Sequence, residues 1–373
     1  MSKGIIKLSD ILIPQPKSKI KAGEGKNAGK YKFFTSSNSQ TKFVDEYQYD
    51  GPALIFGTGG NANIHFCEEK FATSTDCLVF RAEEKQLLKS VYLYLSGNMQ
   101  VLENGFKGAG LKHISKQYIL DISFLLPEAN EQRKIAAVLD KVSSLIAKRR
   151  QQLDKLDEMV KARFVEMFGN FVYERDRWSI CKVGDVADTV DPQPSHRTPP
   201  ISADGIPYIG IAECNYKTRL IDFEKARKVG QNVLQEHLER YTLDEGDFII
   251  GKIGTIGKPF FVPTGQTYTL SANTVLIKPY KKRVTPHFLF AVFQSEYMDR
   301  IIDAEKKSTS QPAFGIQKVR KIDIPIPPLE LQNQFAAFVE QTEKTKTTIS
   351  ESLEKLETLK KALMQKYFGR RII

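Results

Sequence analysis

The chain has 373 residues, 41% hydrophobic and 27% charged, with 55 Lys and Arg against 44 Asp and Glu for a net charge of +11. That is the composition of an ordinary soluble protein long enough for two or three domains with real cores, and no apolar run approaches bilayer length. The basic excess favours a polyanionic partner, nucleic acid first among them, but a basic protein without such a partner has the same balance.

Residues 1–126 mix short strands with turn signals. Ala53-Leu54-Ile55-Phe56 and Cys77-Leu78-Val79-Phe80 read as buried strands. Leu88, Val91, Tyr92 and Leu95 share one face of a short helix over 87–95. The glycine- and lysine-rich stretch 21–30 reads as a mobile loop.

A long helix is expected from about Asn130 to a glycine cap at Gly169. Leu139, Ile146, Leu153, Val160 and Met167 repeat every seven residues, and Ile135, Val142 and Leu156 add the partner positions. Arg149 and Arg163 interrupt the stripe. Such a heptad stripe is a coiled-coil seam, and roughly 39 residues make a rod of about 58 Å.

The segment 171–327 echoes the first domain. Lys182-Val183-Gly184-Asp185-Val186 matches Lys7-Leu8-Ser9-Asp10-Ile11, and Ser271-Ala272-Asn273 matches Ser74-Thr75-Asp76. The strand and glycine turn at 248–258 match those at 54–60. The stretch 288–298 plays the part of the first short helix, and the proline-rich stretch 192–200 cannot be helical. A second long helix follows, and 127–169 aligns without a gap on 327–369, exactly one copy in each half. It keeps Phe335, Val339, Ile349, Leu353, Leu356 and Leu363 on its stripe, with Thr342, Lys346 and Lys360 in the register.

The chain thus divides into domain 1–127, helix 128–170, domain 171–327 and helix 328–373. The expected fold is mixed α/β (α+β): two globular domains separated by two long antiparallel coiled-coil helices in a pseudo-two-fold repeat. The alternative is that each helix docks on its own domain.

Chemistry has no visible home. Cys67, Cys77, Cys181 and Cys214 form no C-x-x-C pair, and with five histidines no zinc spacing arises. They read as structural thiols in a reducing, cytoplasmic compartment, since no signal peptide is evident. The loop 251–258 is not a P-loop, because Pro259 stands where Ser or Thr must bind magnesium. Asp50 with Glu68-Glu69-Lys70 meets only the loosest nuclease pattern. No methyltransferase glycine loop or Asn/Asp-Pro-Pro-aromatic loop is present.

Loops offer the contacts that DNA would need. Lys252, Thr255 and Lys258, then Asn215, Lys217 and Arg219, are candidates in the second domain. Ser36, Ser37 and Asn38, then Thr58, Asn61 and Asn63, are candidates in the first. His196-Arg197 is a further possibility. Glycine turns let amides and lysines approach phosphates, and asparagine reads adenine edges, but both residue types also serve ordinary turns.

The run Ser308-Thr309-Ser310-Gln311-Pro312-Ala313-Phe314-Gly315-Ile316, continued by Ile322-Asp323-Ile324-Pro325-Ile326-Pro327-Pro328-Leu329-Glu330-Leu331-Gln332, resembles the junction of recognition domain and conserved helix in DNA-specificity subunits of type I restriction–modification enzymes. The first copy keeps Ile114, Lys116, Asp121-Ile122, Pro127 and Glu131-Gln132. The resemblance implies a non-catalytic subunit in which each domain reads half of a split DNA target in the major groove. It also implies that the helix pair sets the spacer and docks two methyltransferase subunits. S-adenosylmethionine would bind in those partners, and ATP and Mg2+ in restriction/translocase subunits. A recognition module of another DNA-modifying or defence assembly, a coiled-coil protein scaffold without DNA binding, and an independent nuclease or methyltransferase stand as alternatives.

Overall fold

The computed structural model describes residues 4–195, 197–216, 218–308 and 313–368. Two compact units emerge. Unit one takes in the chain to Gln151 together with the stretch from Ile349; unit two is Gln152–Thr348. Packing therefore groups half of each long helix with each domain, whereas the four-part division above follows the chain.

Unit one is built on a four-stranded antiparallel sheet, in the order Ile13–Pro14, Cys77–Arg81, Ala53–Gly57, Ile64–Cys67. A three-stranded sheet joins Lys42–Val44, Tyr31–Phe34 and Phe71–Thr73, the last pair parallel. Gly4–Lys7 pairs with Ser123–Leu126. The apolar run Ala53–Gly57 is buried throughout because the strand is central, with neighbours on both edges and cover on both faces. The helix Lys85–Gly97 turns Leu88, Val91 and Leu95 into the core.

Unit two repeats this topology. Its sheets are Ala187–Val190, Thr274–Pro279, Phe248–Gly251, Pro259–Phe261, and then Arg227–Val229, Ile201–Ile209, Thr269–Leu270, with the last pair again parallel. Ser179–Lys182 pairs with Asp323–Ile326. The echoes read from sequence are matched bond for bond. Asp10 accepts the Lys7 N–H at 3.1 Å and Asp185 accepts that of Lys182 at 3.0 Å. Leu8 N–H reaches Ile122 O, and Val183 N–H reaches Ile322 O, both at 2.9 Å. Ser74 and Ser271 each accept the amide two residues on, at 3.3 Å.

Two expectations need correction. The stretch 21–30 carries a short turn, Ala22–Glu24, and Lys26 is bridged to Phe43 by backbone bonds in both directions at 2.9 Å. The helix expected over 288–298 is two helices, Pro286–Phe293 and Glu296–Ser308, because Gln294 ends the first with its amide bonded back to Phe290 and Ala291. Unit two also inserts a hairpin, Cys214–Asn215 with Leu220–Ile221, and a helix Gln231–Leu238.

The long helices are Ala129–Phe168 and Leu329–Phe368, 40 residues each. Gly169 closes the first in the left-handed region, φ 85°, its amide reaching Val165 O at 2.8 Å. A buried glutamine fixes each start. Gln132 donates to Pro127 O at 2.7 Å and accepts from Ser90 Oγ at 2.9 Å. Gln332 donates to Pro327 O at 2.8 Å and accepts from the Thr285 N–H at 2.9 Å.

Within unit one, Ile135 and Leu139 of the first helix share a core with Leu363, Met364 and Phe368 of the second, and Arg150 pairs with Glu357 at 2.6 Å. Within unit two, Phe164 and Phe168 meet Phe335 edge-on at 5.7 and 5.4 Å, and Asp157 binds Lys346. In each unit, numbers rise along one helix as they fall along the other, so the paired halves run antiparallel. Each half also docks on its domain: Phe368 meets Tyr94 at 6.2 Å, and Phe168 meets Phe288 at 4.9 Å. Docking of each helix half on its own domain, the alternative weighed from sequence, is thus accompanied within each unit by contacts between the two helices. Burial of each such phenylalanine contributes about 1.5–3 kcal/mol.

The seven-residue stripe sorts by depth. Ile135, Leu139, Val142, Ile146, Phe335 and Val339 are buried. Leu153, Leu156, Val160, Ile349, Leu353, Leu356 and Leu363 are half-buried. Thr342 and Lys346 are buried in register despite their polarity.

Candidate nucleic-acid interface

In unit one, two loops nominated from sequence converge. Ser36 Oγ accepts the N–H groups of Thr58 and Gly59 at 3.1 and 3.3 Å and donates to Asp76 O at 2.6 Å. Thr58 Oγ1 donates to the same carbonyl at 3.0 Å. Ser37, Asn38 and Asn61 are left exposed around this junction. Asn63 is buried: its Oδ1 accepts the Gly57 N–H at 3.1 Å and its Nδ2 donates to Asn61 O at 3.0 Å. It holds the turn, the ordinary role of asparagine there. Gly57 is required at its place, since a Cβ would lie 2.4 Å from Asn63 Nδ2.

Two residues at this junction were missed. His65 Nε2 lies 2.8 Å from Ser37 O, and His113 Nδ1 lies 3.1 Å from Thr58 O. A carbonyl oxygen only accepts, so His65 Nε2 is the donor there, and burial lowers the His65 pKa below its ordinary 6.5. His113 carries no sequence signal, because its approach depends on the bridge between Gly59 and His113.

Unit two presents the equivalent junction with different residues. Lys252 takes the place of Thr58: its N–H reaches Asn273 O at 2.8 Å, as Thr58 N–H reaches Asp76 O at 2.8 Å. The Lys252 side chain is buried and its ammonium lies 2.8 Å from Asp191. Thr255 and Lys258 are exposed on the loop that follows, where Gly254 and Gly257 take φ 77° and 74°. The hairpin tip meets that loop: Tyr216 donates to Lys258 O at 3.2 Å, and its ring sits edge-on to Phe260 at 5.6 Å. Asn215 Oδ1 accepts the Thr218 N–H at 3.0 Å. Arg219 donates to Asp157 at 2.8 Å and to Glu343. Lys217 and His196 lie outside the described residues, as do Thr309–Pro312 of the motif before the second helix; Arg197 is exposed.

Behind the proline-rich stretch lies a buried polar node. His237 Nε2 donates to Gln193 Oε1 at 2.5 Å, and its other ring nitrogen faces Thr269 and Tyr241. The Gln193 N–H donates to Asp191 at 3.2 Å. The loop start is thereby held from both sides, by His237 and by Lys252.

The acids weighed as a nuclease pattern face lysines at the surface: Asp50 with Lys70 at 3.8 Å, Glu68 with Lys85 at 2.6 Å and Glu69 with Lys32 at 3.0 Å. Among the described residues no cluster of His, Cys, Asp and Glu could hold a metal ion, and no helix is long and apolar enough to cross a membrane. Burial pushes the Cys77 thiol up to about 11 and the Cys214 thiol up to about 12, which disfavours the thiolate form that a nucleophile needs.

Comparison with known proteins agrees with this architecture. The chain is 22% identical to the type I restriction enzyme MjaVIII specificity subunit of Methanocaldococcus jannaschii, across 83% of this chain and 76% of that protein. It is also 22% identical to the type I restriction enzyme EcoDI specificity subunit of Escherichia coli, across 96% of this chain and 86% of that protein. The crystal structure of a type I restriction–modification system S subunit from M. genitalium shares the fold, with a TM-score of 0.61 at 12% identity over 100% of this chain and 97% of that one. The family model for the type I restriction modification DNA specificity domain matches residues 3–157 and 175–360, and the chain belongs to that family.

Proposed function

We propose that this chain is the DNA sequence-specificity subunit of a type I restriction–modification complex, and that each unit reads one half of a bipartite target. The observation that carries this reading is the repeated junction. The turn that holds Thr58 in one unit and Lys252 in the other is equivalent, and in each unit a loop far away in sequence meets it or the loop that follows: Ser36 with Thr58 and Gly59 in one, and Tyr216 of the inserted hairpin with Lys258 in the other. The topology is shared while the exposed residues differ, as two readers of different half-sites require. The net charge of +11 supplies phosphate attraction.

In this reading Ser37, Asn38, Asn61, Asn215, Thr255 and Lys258 face the DNA. The two long helices pair as an antiparallel coiled coil, set the spacer between the half-sites and dock two methyltransferase subunits. The chain is not itself catalytic: S-adenosylmethionine binds in the methyltransferase partners, and ATP and Mg2+ in restriction/translocase subunits. The test is methylome sequencing of a host that carries the chain with its partners. A methylated motif split by an unspecified spacer is expected; methylation of continuous motifs alone contradicts the reading.

A further inference from the structure

We propose that Arg219 is a positioning residue: it clips the hairpin 214–221 to both long helices and thereby fixes the attitude of the reading loops of unit two. The proposal rests on reading that hairpin as part of the DNA interface.

The hairpin has two residues in each strand, Cys214–Asn215 and Leu220–Ile221. A ribbon that short does not hold a geometry by itself. Its tip closes through Asn215, whose carbonyl accepts the Arg219 N–H at 2.7 Å. Arg219 takes φ 58°, the described non-glycine residue in the left-handed region. Glycine adopts that conformation without strain, so an arginine there points to a use for its side chain.

That use is visible. One guanidinium nitrogen lies 2.8 Å from Asp157, on the first long helix; another binds Glu343, on the second. The same two carboxylates hold Lys346, whose ammonium is 3.1 Å from Glu343 and whose side chain is buried. Two cations thus balance two anions. An isolated exposed pair holds little, but a network with a buried member and a forked guanidinium holds more. Reaching a phosphate would oblige Arg219 to leave both acids.

The restraint passes outward. Tyr216, three residues before Arg219, donates to Lys258 O at 3.2 Å. Helices, Arg219, hairpin and the loop 252–258 therefore form one continuous chain of contacts within unit two. Unit one has no counterpart of the hairpin among its described elements.

The test uses the full-length chain with Arg219→Gly and Arg219→Lys. Glycine keeps the left-handed turn, so folding is not at stake. Amide hydrogen exchange over 214–221 and 252–258 is expected to speed up about tenfold in Arg219→Gly. Selection from randomised duplexes is expected to show several-fold weaker base preference at one half-site, the other half-site unchanged, with Arg219→Lys intermediate. Unchanged exchange in both segments overturns the clip. So does weaker binding to every sequence with a flatter salt dependence and unaltered exchange, which would make Arg219 a phosphate contact. Faster exchange in a protein whose wild type shows no split preference would keep the clip and refute the DNA reading.

Discussion

Lys252 Nζ lies 2.8 Å from Asp191 Oδ2, with the two side chains 11% and 16% exposed. From sequence, Lys252 reads as a phosphate contact whose loss weakens binding to all DNA. The ion pair gives it a different first duty. Removing the ammonium leaves a shielded carboxylate without this partner, a costly state. Lys252→Ala is expected to destabilise the protein by about 2–4 kcal/mol in urea unfolding. The double variant Asp191→Asn/Lys252→Met should recover at least half of that loss; no recovery would show that the pair is not what holds Lys252.

The glutamines at the helix starts make an internally controlled pair. Gln332→Leu strands the Thr285 N–H and the Pro327 carbonyl, and Gln132→Leu strands the Pro127 carbonyl and frees Ser90 Oγ. A buried group left unsatisfied costs about 1–3 kcal/mol. Both variants should lose stability in that range, with Gln332→Leu the worse because a backbone donor cannot turn away. Equal wild-type stability in either variant, measured by chemical denaturation, would remove the glutamine from the account.

Lys346 stands where the first helix has Ile146. Its burial is offset by Asp157 and Glu343, which are partly solvated and keep Arg219 as a shared partner without it. Removing one partner of an ion pair is costly where the other is left shielded from water, and these two carboxylates are 50% and 34% exposed. Lys346→Ile should therefore change unfolding free energy by less than about 1 kcal/mol, or raise it. A loss above about 3 kcal/mol would show that the ion network carries more than the seam.

Three histidines set an acid limit. Burial is the main cause that lowers the pKa values of His65, His237 and His287 from 6.5. A group whose folded pKa is depressed binds its proton first in the unfolded chain. The associated stability is full above pH 6.5 and declines as pH falls from there toward the folded values. Melting temperature should thus fall on acidification through pH 6, and His237→Gln should flatten that slope. A slope identical to wild type would show that His237 does not contribute.

Much of the fold is legible in sequence for a simple reason. The heptad stripe from Ile135 to Val160 and the matched caps at Asp10 and Asp185 depend on local periodicity and on residues three apart. The convergence of Ser36 with Thr58, or of Tyr216 with Lys258, is not legible, because it depends on the parallel pairings of Tyr31–Phe34 with Phe71–Thr73 and Ile201–Ile209 with Thr269–Leu270. For the same reason Lys252, Asn63 and Arg219 are polar residues in plausible loops whose partners, Asp191, Gly57 and Asp157, lie beyond local reading. Tyr216 had a usable signal, an aromatic ring inside a polar loop.

The central claim is that two kindred units read separate halves of one DNA target. It is tested most directly by selecting randomised duplexes with the full chain and its methyltransferase partners, comparing wild type with Asn61→Ala and with Thr255→Ala. The account predicts a split consensus in which each substitution changes base preference on a different side of the spacer. Substitutions that alter the same bases, or a wild type that selects no interrupted pattern, would contradict it.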